Sequence, residues 1–208
     1  KQMSNFFENT RKPMGNSGRL LTIMMNRGHA AMAKWGLSHI VLDKSGHVLD
    51  VGCGGGANLV RLLALCPDGL VTGVDYSEIS VEKSKKLTSA AIHGGKCRVL
   101  QADVSELPFA KDSFDFVTAF ETIYFWPEIE HAFGQVFRVL KPGGIFLICN
   151  EADGRNEKDE LWTEKIPGMV IYNADQLAAF LQGEGFINLC ISSDTKKHWL
   201  CVTAQKSL

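Results

Sequence analysis

The 208-residue chain has no excess of either charge, with 22 lysines and arginines against 23 aspartates and glutamates. A main partner made of nucleic acid requires a basic face that displaces the counterions of the phosphates, and no basic stripe is present, so none is expected. No apolar run approaches the roughly 20 residues that cross a bilayer, so no membrane partner is expected either. The six cysteines, at 53, 66, 97, 149, 190 and 201, contain no C-x-x-C pair. This removes the usual zinc and dithiol spacings, and no metal is expected. Most of the cysteines sit inside apolar runs and read as buried free thiols of a reducing compartment. No signal-peptide pattern is visible, and the expected location is the cytoplasm. Repeats and low-complexity tracts are also lacking.

What remains is ordinary for a globular protein with a substantial core: 45% hydrophobic and 22% charged residues. Residues 1–45 read as an N-terminal arm and helical cap, and 46–208 as one structural unit. Lys1–Asn16 is polar and mixed, and reads as an arm. Arg19–Trp35 is helical in pattern, with Leu21, Met24, Met25, Met32 and Trp35 on one face, Gly28 as a break and Gly36 as C-terminal cap.

From Gly46 strands and helices alternate. Strands are predicted at His47–Val51, Leu70–Val74, Cys97–Ala102, Phe114–Phe120 and Ile145–Cys149. Helices are predicted at Asn58–Cys66, from Ser77 to about Ile92, and through Ile129, Ala132, Phe133, Val136, Phe137 and Leu140, whose spacing is i, i+3, i+4, i+7, i+8 and i+11. Lys141-Pro142-Gly143-Gly144 ends that last helix. Asn150–Tyr172 reads as a long irregular connection, of the kind that is often functional. Asn173 and Gln176 form a capping-box pattern ahead of one more helix, which Gly185 closes. Phe186–Ser192 and His198–Thr203 are separated by too few residues for a crossover helix and must pair antiparallel. The expected fold is α/β: a Rossmann-like three-layer sandwich with a mostly parallel seven-stranded sheet, a C-terminal antiparallel hairpin and an N-terminal helical cap.

On such a sheet ligands bind at the carboxyl ends of the strands. The turn after the first strand, Gly52-x-Gly54-x-x-Ala57, formally fits a dinucleotide fingerprint, which keeps an NAD(P)-dependent oxidoreductase open as the alternative. Its surroundings point elsewhere. Asp50, two residues before the first glycine, would repel a pyrophosphate and suits a cationic group. Asp75, 23 residues after Gly52, can accept both hydroxyls of an unphosphorylated ribose, and Asp103 offers an acceptor for an adenine amino group. The short-chain dehydrogenase Tyr-x-x-x-Lys is missing, since Tyr124 is followed four residues on by Glu128. Three carboxylates around one crevice suit S-adenosylmethionine rather than a diphosphate.

The runs V-L-D-V-G-C-G-G-G, V-T-G-V-D-Y-S, Q-A-D-V-S-E-L-P-F, F-D-F-V-T-A-F-E and L-K-P-G-G, in that order over Gly46–Cys149, resemble class I S-adenosylmethionine-dependent methyltransferases. The similar branch is the small-molecule one with ubiquinone/menaquinone-biosynthesis-like and type 11 domains. The resemblance implies methyl transfer to a small-molecule acceptor through oxygen, nitrogen, carbon or sulfur, with S-adenosylhomocysteine as product. It implies that Gly52 and Gly54 admit the donor close to the backbone and that Asp50 holds its amino group through water. It further implies that Asp75 holds the ribose, that Tyr76 lies against the adenine, and that Asp103 and the Val104 amide bind the adenine edge. Phe120 would line the site where the fourth strand ends. A donor-binding module without catalysis is the non-enzymatic alternative.

The catalytic residues are not fixed by the sequence. Glu121 and Tyr124 follow the fourth strand, where relatives face their substrates, and His29 lies on the segment that covers the site in relatives. Each also has an ordinary structural reading: a solvated loop carboxylate, a packing tyrosine, a surface histidine. Trp162, in the long connection, reads either as a side chain closing over substrate or as packing.

Overall fold

The computed structural model describes residues 29–208, the side chains of Glu157 and Lys158 excepted. The expectations for Lys1–Asn16, and for Leu21, Met24, Met25 and Gly28, lie outside the described residues. In chain order the elements are α1 (Ala30–Leu37), β1 (His47–Val51), α2 (Ala57–Leu65), β2 (Leu70–Asp75), α3 (Glu78–Leu87), α4 (Ser89–His93) and β3 (Cys97–Gln101). Then follow β4 (Phe114–Phe120), α5 (Ile129–Val139), β5 (Leu140–Asn150), α6 (Glu157–Lys165), α7 (Ala174–Gly183), β6 (Phe186–Asp194) and β7 (Trp199–Lys206). Two 3-10 turns, Val104–Glu106 and Ile123–Phe125, follow β3 and β4.

The seven strands form one sheet in the order β3-β2-β1-β4-β5-β7-β6. Strands β1 to β5 pair in parallel, and β7 is antiparallel to both β5 and β6. Helices cover both faces, which is why the central strands are almost continuously apolar and buried. One core cluster joins Leu49, Val117, Phe146 and Ile148 to Ile129, Phe133 and Val136 of α5 and Leu177 and Leu181 of α7. The other joins Val48, Val71, Leu147 and Cys149 to Met32 of α1, Leu59 and Leu62 of α2 and Val81 of α3. The strand order reverses between β1 and β4, so the chain leaves these neighbours toward opposite faces and a crevice opens at their carboxyl ends. The expected three-layer sandwich, its seven strands and its terminal hairpin are what the chain forms.

Several local expectations are corrected. Gly36 does not cap α1; it lies within it, where an added Cβ would stand 2.5 Å from Cys149 Sγ, so its role is close approach to β5. The single helix expected after Ser77 is two. Thr88 leaves helical geometry at φ −101, ψ 15, and its hydroxyl donates back to the Ser84 carbonyl at 2.8 Å. Ser77 occupies the N-cap position of α3 without a side-chain cap bond. Leu140 belongs to β5, and Lys141–Gly144 runs inside that strand, whose register against β4 shifts between Phe114 and Phe116. The connection after Asn150 is not structureless, since α6 lies within it, and Trp162 on that helix is exposed. The hairpin strands run longer than expected, to Asp194 and Lys206. All six cysteines are free; Cys190 is exposed and the others are buried.

The capping box holds. The Asn173 side chain accepts from the Gln176 amide at 3.0 Å, and Gln176 Oε1 accepts from the Asn173 amide at 3.0 Å. Asn173→Ala removes one of these bonds and is expected to cost about 1 kcal/mol, lowering Tm by roughly 2–4 °C in thermal unfolding.

Candidate active site

The turn from β1 into α2 sets one wall of the crevice. Gly52 has φ +77, and an added Cβ there would stand 2.0 Å from Thr122 Oγ1, so neither the conformation nor the space accepts a side chain. The Gly52 and Cys53 amides both donate to the Val74 carbonyl, at 2.8 and 2.9 Å, folding the turn onto the end of β2. This places Gly54 beside Asp75. Asp75 Oδ2 accepts from the Gly54 amide and Oδ1 from the Ser77 amide, each at 2.9 Å. Each oxygen thus has one lone pair engaged and one left. Burial outweighs both amide bonds and pushes the Asp75 carboxyl above the usual range.

The opposite wall follows β3. Asp103 Oδ1 accepts from the Ser105 amide at 2.8 Å and caps the 3-10 turn that carries Val104. Arg138 of α5 ties this loop down, donating to the carbonyls of Phe109 at 2.6 Å and Leu107 at 2.8 Å. Tyr76, Asp103, Val104 and Phe120 line one open cavity of about 250 Å³ together with Gly52, Gly54 and Asp75.

Asp50 is placed differently. It is 1% exposed and lies behind the cavity wall, where Thr118 Oγ1 donates to it at 2.8 Å. Burial pushes its carboxyl up to about 7; the Thr118 hydroxyl and Arg61 oppose this shift, and the charge of Asp75 adds to it.

At the far end the three catalytic candidates come together. Glu121, at φ +58, ends β4 and its amide donates to the Cys149 carbonyl at 3.0 Å. Glu121 Oε1 accepts from the Tyr124 hydroxyl at 3.0 Å and from the Glu151 amide. The Tyr124 oxygen in turn accepts from the Ala152 amide at 3.1 Å. Glu121 Oε2 lies 3.4 Å from Nδ1 of His29. Both His29 and Glu121 line the cavity, whereas Tyr124 is buried behind them. Burial pushes the His29 imidazole down, but the bond to Glu121 and the charges of Glu121 and Glu151 outweigh it and hold its pKa above the usual value. Burial, with the nearby charge of Glu121, pushes the Tyr124 hydroxyl well up and keeps it a neutral donor.

This strand–turn–strand–carboxylate order has a counterpart among known proteins: residues 49–148 match the methyltransferase domain family. The chain belongs to the class I S-adenosylmethionine-dependent methyltransferases. The chain is 32% identical over 157 residues to an O-methyltransferase of Pyrenophora dematioidea, a match that covers 73% of this chain and 58% of that protein. It is 33% identical over 144 residues to the 27-O-demethylrifamycin SV methyltransferase of Amycolatopsis mediterranei (strain S699), covering 66% of this chain and 53% of that one. The chain therefore spans a little over half the length of these relatives. In fold it is similar to a chain of the Haloferax volcanii complex that contains the Trm112 methyltransferase activator, with a TM-score of 0.82 at 21% identity, covering 92% of this chain and 95% of that chain.

The cavity is also lined by residues that the sequence motifs do not mark. Asn58 and Arg61 of α2 line it, joined by a 2.8 Å bond from Arg61 to Asn58 Oδ1, and so do Ser80 and Thr122. Arg61 lies four residues after Ala57, one helical turn from the glycine loop and on its face, which is the signal that could have marked it. By sequence Glu151 falls in the connection after β5; its neighbourhood to Glu121 arises only because β4 and β5 are adjacent in the sheet.

Proposed function

We propose that this chain binds S-adenosylmethionine in the cavity and catalyses methyl transfer to a small-molecule acceptor that enters beside Glu121 and His29. The observation that carries the reading is Asp75. Its two oxygens are fixed by the Gly54 and Ser77 amides and keep one lone pair each, which matches a vicinal ribose diol. Gly54 supports the same reading, because an added Cβ there meets nothing within 4 Å and would project into space the donor needs. Tyr76 and Val104 receive the adenine, and Asp103 keeps one oxygen for its amino group. Arg61 offers a cation to the carboxylate of the methionine end, and Asp50 a carboxylate behind the wall for its ammonium. A bound donor supplies an already activated methyl group, so this chain's residues mainly position, orient and exclude water. A small acceptor is supported by the size of the cavity and by the relative that acts on a rifamycin.

Calorimetry with S-adenosylmethionine and S-adenosylhomocysteine tests the first half of the reading, and label transfer from methyl-tritiated donor into a small-molecule extract tests the second. Binding of both nucleosides at 1:1, no response to NADH and appearance of a labelled small product are expected. Folded protein that binds neither nucleoside would sink the proposal, and binding without any transfer would leave a donor-binding module instead.

A further inference from the structure

Resting on the methyl-transfer reading above, we infer that His29 is the general base of the reaction, that Glu121 is its positioning residue, and that the acceptor is an uncharged hydroxyl compound. The argument is the direction of each hydrogen bond. The Tyr124 oxygen accepts from the Ala152 amide at 3.1 Å, so its own proton is spent on Glu121 Oε1 at 3.0 Å. The Glu151 amide donates to that same oxygen. Glu121 is therefore locked by two donors on one oxygen, and its other oxygen faces Nδ1 of His29 at 3.4 Å. A carboxylate beside Nδ1 favours the tautomer that carries its proton there, which puts the lone pair on Nε2. His29 lines the cavity, and Glu121 has one oxygen already doubly engaged.

The surroundings select the acceptor. Glu121 and Glu151 each bring an oxygen within 4.8 Å of the imidazole, so a carboxylate or phosphate acceptor would meet two like charges. An amine attacks through a lone pair it already has and can shed its proton afterwards. A hydroxyl becomes a good nucleophile only as its proton leaves, and that is the case in which a built-in base contributes. The acceptor oxygen forms its bond to the methyl carbon as that carbon's bond to sulfur breaks. The hydroxyl proton passes to Nε2, the sulfur leaves as a neutral thioether, and the positive charge ends on an imidazolium beside Glu121 and Glu151. Those carboxylates, with the bond from Glu121, already favour the protonated ring.

The test uses the full chain with 15N-labelled histidine, S-adenosylhomocysteine for binding, and methyl-tritiated S-adenosylmethionine with phenol and aniline as acceptors. The neutral His29 ring should carry its proton on Nδ1 and titrate above the usual 6.5. That pKa should fall by about one unit in Glu121→Gln and by less in Tyr124→Phe. His29→Gln should leave nucleoside affinity unchanged and lower transfer to phenol on the order of 100-fold. The same variant should affect aniline far less, because that neutral amine attacks through a lone pair it already has. Wild-type transfer to phenol should rise with pH through the His29 pKa, since the base works only when deprotonated. Failure of the wild type to bind the nucleoside removes the functional reading itself. The inference alone is overturned, with binding intact, by a His29 pKa indifferent to Glu121→Gln, by equal losses on both acceptors, or by no transfer to phenol. Stoichiometric binding of Zn²⁺, added alone and abolished in Glu151→Gln, also overturns it, by making the three side chains a metal site.

Discussion

Asp75→Asn is expected to weaken S-adenosylmethionine binding by at least about 100-fold while the protein stays folded. Two hydrogen bonds from ribose hydroxyls to an ionised carboxylate are each worth roughly 1.5–3 kcal/mol, and losing their strength together gives a change of this size. The substitution is isosteric and keeps one acceptor oxygen for a backbone amide. The other amide, from Gly54 or Ser77, then faces an NH2 group, which costs roughly 1–3 kcal/mol of stability. The two effects separate experimentally. Calorimetry reads the affinity, and circular dichroism reads a cooperative transition at lowered Tm. An affinity within threefold of wild type in a folded variant would remove the ribose from Asp75 and with it the placement of the donor.

The features legible in the sequence were those governed by short-range rules. The largely apolar runs located β1 and β4 to the residue, because a strand buried on both faces stays apolar for most of its length and is bounded by Gly46 and Gly52 in one case and by Ser113 and Glu121 in the other. Asp75, Asp103, Val104 and the glycines were readable because each stands within a few residues of a strand end, and strand ends in this topology meet at one crevice. The break at Thr88 and the placement of Leu140 were not readable. In both, the helical pattern continued past the point where tertiary pairing or a back-bonding hydroxyl ended the helix.

The catalytic end was harder for a different reason. His29, Glu121, Tyr124 and Glu151 are drawn together by a parallel pairing of β4 with β5, about 30 residues apart, and by α1 crossing the end of β5, about a hundred residues away, contacts that no local pattern encodes. The sequence offered three of these residues as separate candidates; their joint arrangement, in which one locks another, comes from the fold. Gly36 belongs to the same lesson. It looked like a cap because glycine often ends helices, yet its place is fixed by Cys149 on a distant strand, which lets α1 lie close enough for His29 to reach Glu121.

Asp50→Asn is expected to flatten the pH dependence of stability and to stabilise the protein at pH 8 by on the order of 2–4 kcal/mol. Asp50 is fully buried, and its folded pKa of about 7 stands above the ordinary 3.8. The folded state therefore holds a proton that the unfolded state releases between those values. Stability from this group is fully present below pH 3.8, falls as pH rises, and is lost above about pH 7. The groups facing it are the Thr118 hydroxyl from β4, Asp75 at the end of β2, Arg61 from α2 and Cys53 in the glycine turn. Burial dominates them, so an uncharged isostere that keeps an acceptor for Thr118 removes the penalty. Denaturant unfolding from pH 4 to pH 9 checks this: a variant whose stability declines with pH as steeply as wild type would show that Asp50 is ionised throughout. The same proton reports on function. A donor bearing an ammonium and a sulfonium favours the ionised carboxylate, so wild-type binding at pH 6.5 should release protons, seen as a binding heat that varies with the ionisation heat of the buffer. In Asp50→Asn that variation should vanish, and affinity should drop more at pH 8 than at pH 6, because only at pH 8 does the wild type hold a charge there to lose.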